Sequence, residues 1–176
     1  MTDADLGTLG QHDGEWQVTF VRRLPHPIEK VWRALTETEH MKPWFPDEMI
    51  GERRAGAPLM FVSEQMHETY EGEMLVFEPL SVMEVQWGPT NKLRVEVQAE
   101  GDVTVLTLTE TLGELGEAAR DGAGFHECLV RLEGSLAGST DLPDWGSTWK
   151  EIHPLYVEKF GPEAATIGPP EGMEPG

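Results

Sequence analysis

Chemistry-bearing residues in this chain are few and dispersed. His12, His26, His40, His67, His126 and His153 show neither H-x-x-x-H nor C-x-x-C spacing, so no local pattern supports a zinc or iron site. His126 and Cys128 stand two apart on a helical stretch and point in different directions. His67-Glu68 and Glu71/Glu73 could supply an acid and a base near a possible cavity, but a charged strand face in contact with water is the simpler account of them. Gly113, Gly116, Gly122 and Gly124 lack the G-x-G-x-x-G order and read as a flexible strand-to-helix loop. There is no nucleophile elbow or phosphate loop. No catalytic residue, metal ligand or cofactor is therefore assigned.

Large polarizable side chains carry more information. Trp44, Phe45, Met49, Phe61, Tyr70, Met74, Met83 and Trp87, with Phe125, Leu129 and Leu132 from a helical stripe, are the candidates to line a ligand cavity. Such groups hold an apolar or aromatic ligand without demanding one geometry. They are also what an ordinary core contains.

The elements that would position these residues follow from periodicity. Phe125, Cys128, Leu129, Leu132 and Leu136 recur at helical spacing, predicting a helix over Ala119 to Gly138 that buries one stripe against a sheet. Trp16 to Leu24 alternates as a strand and stops at Pro25. Pro27 then opens a short helix carrying Ile28, Val31, Trp32 and Leu35, and a second short turn runs from Glu39 to Trp44. Strands are expected over Glu48 to Arg53, Leu59 to Val62, Thr69 to Phe77, Ser81 to Trp87, Lys92 to Ala99 and Val103 to Leu112. In several of them one face is apolar: Met83, Val85 and Trp87 alternate with Glu84 and Gln86, and Leu93, Val95 and Val97 with Arg94 and Glu96.

The chain carries 32 acidic against 13 basic residues, a formal net charge of −19. Lys and Arg cluster no further than the pairs Arg22-Arg23 and Arg53-Arg54, which argues against nucleic acid and anionic lipid as partners. The acidic N-terminus has no apolar run, and no stretch approaches a membrane span, so a cytoplasmic location is expected. Cys128 is the single cysteine, so an intramolecular disulfide is excluded, and its place on the helical stripe predicts slow thiol labelling in the native protein.

The order of elements, together with P-H-P-I-E-K-V-W-R-A-L-T-E at 25–37, M-K-P-W-F at 41–45, Y-E-G-E-M-L-V-F-E-P-L-S-V-M-E-V-Q-W at 70–87 and G-F-H-E-C-L-V-R-L-E-G-S-L-A-G at 124–138, resembles the START-like, or SRPBCC, superfamily. More narrowly it resembles homologues of the activator of the heat-shock chaperone ATPase, over residues 16–138. The resemblance implies an α+β helix-grip fold: a bent antiparallel sheet of about six to seven strands wrapped around a long C-terminal helix, two short helices after the first strand, and an elongated apolar cavity between sheet and helix. Phe125 departs from the branch, which often carries Trp there. The implied organisation is a flexible tail at 1–14, a helix-grip domain at 15–138, and an extension at 139–176 with a disordered end at Gly168 to Gly176.

Three functions follow from the resemblance. The first is binding of a small apolar or aromatic molecule in the cavity. The alternative is a chaperone-binding, protein-interaction role for the outer sheet face, an activity associated in the namesake with sequence beyond this one domain. The third is an enzyme acting on polyketide-like or aromatic substrates, for which Tyr70, Gln86 and His67 are the candidate polar groups. In the extension, Trp145, Trp149, Ile152, Tyr156 and Phe160 recur every three to four residues, with Pro154 expected to divide two short helical pieces within about 147–160. These groups are expected to pack on the domain's own surface, with a homodimer or a lid over the cavity as alternatives.

Overall fold

Alternation of apolar and polar residues organises the sheet, and it does so over more of the chain than the sequence suggested. The computed structural model describes residues 5–169. Its strands are β1 (Thr8–His12), β2 (Glu15–Leu24), β3 (Asp47–Ile50), β4 (Pro58–Ser63), β5 (Glu68–Glu78), β6 (Val82–Trp87), β7 (Asn91–Glu100) and β8 (Val103–Thr111). They pair antiparallel in one eight-stranded sheet of order β1-β2-β8-β7-β6-β5-β4-β3, so the expected six to seven strands become eight.

The additional strand lies inside the stretch assigned to a flexible tail. β1 pairs with β2 through the register His12↔Glu15, which leaves Asp13-Gly14 as a two-residue loop. Both loop residues have positive φ, 49° and 83°, the backbone of a hairpin turn whose twist matches its strands. β1 is exposed along most of its length, so it lacks the buried face that marks a strand in sequence.

Between β2 and β3 lie α1 (Ile28–Thr36), which buries Val31, Trp32 and Leu35, and the short α2 (Thr38–Met41). Pro27 precedes α1, where a missing N–H costs nothing. The long helix α3 (Ala118–Leu136) buries Phe125, Cys128, Leu129, Leu132 and Leu136, as its periodicity predicts. These meet the inner side of the sheet, including Phe20, Val85, Val95, Leu106 and Leu108, in one continuous core. The Lys30 ammonium donates to the Leu136 carbonyl at 2.7 Å and so closes the C-terminal end of α3.

The extension folds back onto this helix. Pro154 does not divide it: α4 (Ser147–Phe160) is one helix. Trp149, Ile152 and Tyr156 form a buried stripe that crosses the proline and holds both halves on one axis. Pro154 itself is exposed, as is Lys150, whose carbonyl cannot receive the usual helical N–H from a proline nitrogen. Gly122 makes the close approach possible, since a Cβ there would stand 3.0 Å from the Tyr156 ring and 3.2 Å from that of Phe160. Gly168 and Pro169 follow without helical structure, and the remainder of the expected disordered end lies outside the described residues. Among the described residues no helix is long and apolar enough to cross a membrane.

Tyr156 ties three segments together. Its hydroxyl accepts the Gly7 N–H at 2.8 Å and is hydrogen-bonded to His126 Nδ1 at 2.9 Å. Burial pushes the His126 imidazole down to about 4, with the Arg22 charge adding to the effect. Because the unfolded chain takes up this proton first as pH falls, the stability associated with neutral His126 shrinks from pH 6.5 downward, by about 2 kcal/mol at pH 5. NMR titration of the ring should give a midpoint near 4; a midpoint near 6.5 would contradict this packing.

Candidate ligand cleft

A cleft of about 510 Å³ opens between the β3–β6 end of the sheet, the N-terminal half of α3 and the start of α4. Tyr70, Trp87, Phe125, Cys128, Trp145 and Trp149 form its apolar walls, and Asp47, Asn91, Arg120, Asp121 and Glu127 are among its polar groups. Ring contacts brace the walls. Phe125 meets Trp87 edge-on at 5.5 Å, and Phe61 stacks on Tyr70 at 5.3 Å.

Asp47 anchors the wall on the sheet side. β3 places it on the same side as Met49, and it is 8% exposed. Its Oδ2 accepts from the Tyr70 hydroxyl and, at 3.2 Å, from Trp87 Nε1; the indole also donates to the Tyr70 oxygen. Burial, reinforced by the adjoining carboxylate, drives the Tyr70 phenol far upward. It is a neutral donor at neutral pH and not a base.

A second polar group lies under the opposite end. Glu110 is fully buried on the inner side of β8, where Thr104, Leu106 and Leu108 precede it at the same parity. Its Oε2 accepts from Asn91 Nδ2 at 3.2 Å, while Oε1 has no protein donor. Burial first, and then the neighbouring Asp121, pushes this carboxyl well above the ordinary range, so it carries a proton. Asp121 adjoins it and accepts from Arg120 Nε at 2.6 Å. Burial pushes the Asp121 carboxyl upward as well, with Arg120 pulling against that shift.

Glu127 holds the third wall. It is 5% exposed, and its carboxylate oxygens accept the Gly146 N–H at 3.0 Å and the Trp149 N–H at 3.0 Å. No side chain of α4's own sequence caps its N-terminus, so a carboxylate from α3 fills that role. The Trp149 indole N–H donates to the Arg120 carbonyl at 3.0 Å. Arg131 lies over the Trp145 ring at 4.1 Å and donates to the carbonyls of Pro43 and Pro143.

Of the cavity residues expected from sequence, Tyr70, Trp87 and Phe125 line the cleft. Trp44, Phe45, Met49, Phe61, Met74, Met83, Leu129 and Leu132 are 0–3% exposed and sit in the core behind it. Gln86 is committed to the β6–β7 turn, donating to the carbonyls of Gly88 and Asn91 at 3.0 Å each. His67 is exposed in the turn before β5, Glu68 stands at the cleft, and Glu71 and Glu73 are exposed. Cys128 reaches the cleft wall but is 4% exposed, and burial pushes its thiol far up, in keeping with slow labelling. Asp47, Glu110, Asp121 and Glu127 were not among the expected residues. For Glu110 and Asp47 the signal was strand parity, which places both on an otherwise apolar side.

The fold is shared with several solved structures. It is similar to EF2215 from Enterococcus faecalis, with a TM-score of 0.72 and 22% identity over 87% of this chain and 89% of that one. CalU16 from Micromonospora echinospora gives a TM-score of 0.72 and 21% identity over 89% and 98%. The protein encoded by BPP1335 from Bordetella parapertussis gives 0.67 and 25% over 90% and 95%. No curated protein sequence matches the chain. The helix-grip arrangement of sheet and α3 coincides with a family-model match over residues 25–137, and the chain therefore belongs to the family described as activator of Hsp90 ATPase homolog 1-like protein, within the SRPBCC superfamily.

Proposed function

We propose that the protein binds a small, predominantly apolar aromatic molecule in the cleft between the sheet, α3 and α4. The observation that carries this reading is the cleft itself: about 510 Å³ left unfilled between the rings of Trp87, Phe125, Trp145 and Trp149. Ligand sites of this size combine apolar walls with a few convergent polar groups. Here the neutral Tyr70 phenol, Asn91 and Asp121 occupy that role.

Thermal unfolding against a panel of planar bicyclic aromatic compounds tests the reading. A ligand present at about a hundred times its Kd adds about 2.7 kcal/mol, which for a chain of this size raises Tm by roughly 5–10 °C. Trp87→Ala and Phe125→Ala should reduce the shift. If no compound moves Tm and none perturbs the cleft resonances in an NMR titration, the cleft is not a ligand site.

A further inference from the structure

The charges around the cleft specify its ligand further. Asp47, Glu68, Asp121 and Glu127 line it against one cation, Arg120, and that guanidinium is already bonded to Asp121. Low-dielectric walls concentrate such a field, and the aromatic rings of Trp87, Phe125 and Trp149 line the same cleft. We propose that the cleft takes a cation, namely a planar apolar body carrying a protonated amine whose ammonium is seated against the Asp121 carboxylate. This rests on the ligand-binding reading above and names the chemistry of that same site.

Glu110 supplies the independent observation. It is wholly buried beside Asp121, and its Oε1 has no hydrogen-bond partner among the described residues. The groups that face it are Asn91 from β7, Glu117 from the turn preceding α3, and Arg120 and Asp121 from α3; its cross-strand neighbour on β2 is the apolar Val18. Glu110, Asp121 and Glu117 are therefore opposed by Arg120 alone within the cluster, and the deficit of positive charge is met by a retained proton. An ammonium arriving at Asp121 supplies the charge that this proton stands in for. Binding is then an exchange: the amine enters protonated, Glu110 ionises, and its proton leaves to solvent, so net charge is conserved. A neutral ligand drives no such exchange, and an anion meets the repulsion of the lining carboxylates.

Isothermal titration calorimetry on the intact protein, with three compounds sharing one ring system, tests this. 2-Naphthylmethylamine is expected to bind about tenfold or more tighter than 2-naphthalenemethanol, and 2-naphthoate is expected to bind weakest. Heats measured at pH 7 in two buffers of different ionisation enthalpy should show proton release when the amine binds and none for the alcohol. Glu110→Gln, which keeps a donor toward Asp121, should retain amine binding and lose the proton release. Asp121→Asn should remove the preference for amine over alcohol, and the buffer dependence of the wild-type protein decides the matter should that variant misfold. If the alcohol or the naphthoate binds as tightly as the amine, the cation proposal is overturned while the ligand-binding reading stands. If none of the three binds, both are overturned.

Discussion

Tyr156→Ala is expected to cost about 4 kcal/mol of folding stability, the range seen when a large buried ring is truncated in a core. Tyr156 is among the largest fully buried side chains, and its ring contacts Phe20, His126 and Phe160 at centroid distances of 6.5, 5.8 and 5.2 Å. Tyr156→Phe separates the two contributions. It keeps the ring and strands the Gly7 N–H and His126 Nδ1 without their partner, which should cost about 1–3 kcal/mol. Urea unfolding followed by tryptophan fluorescence and far-UV circular dichroism gives both values. Should Tyr156→Ala unfold at the wild-type midpoint, α4 is not packed as described.

The second large effect concerns the cap that α3 lends to α4. Glu127→Ala leaves the N–H groups of Gly146 and Trp149 unsatisfied and removes a negative charge from a helix N-terminus, a loss of about 3 kcal/mol. Glu127→Gln retains one acceptor oxygen and should cost about 1 kcal/mol. Because Gly146 and Trp149 line the cleft, the alanine variant should also lose ligand-induced stabilisation while keeping most of its sheet signal in circular dichroism. A Glu127→Ala protein within 0.5 kcal/mol of wild type, with its ligand response intact, would refute the assigned role.

Much of the scaffold could be read from the chain because periodicity and packing agree there. The stripe of α3 and the Pro27 start of α1 were legible for that reason. β1 was not, because an exposed edge strand has no apolar parity to read, although Asp13-Gly14 carried the hairpin signal. Pro154 misled in the other direction. A local argument about one missing donor does not contain the buried stripe from Trp149 to Tyr156 that overrides it. The cleft was partly legible. Aromatic and methionine side chains identify an apolar interior, but only the strand registers and the placement of α4 separate Trp87 and Phe125, which face the opening, from Trp44 and Phe61, which do not. Glu127 could not be identified from the chain, since its role depends on a helix start nineteen residues away.

The bond between Gly7 and Tyr156 spans 149 residues, and the β2–β8 ladder joins residues 17–24 to 104–111. By contrast, β3 to β8 follow one another as neighbouring hairpins, whose loops are short and quick to close. Loop closure therefore favours the meander first, the β2–β8 junction later and the Gly7–Tyr156 bond last. The cleft wall at Gly146 and Trp149 is instead held by Glu127 across only 19 and 22 residues, a far shorter loop to close, so on the same grounds the binding site is expected before Gly7 and Tyr156 are joined.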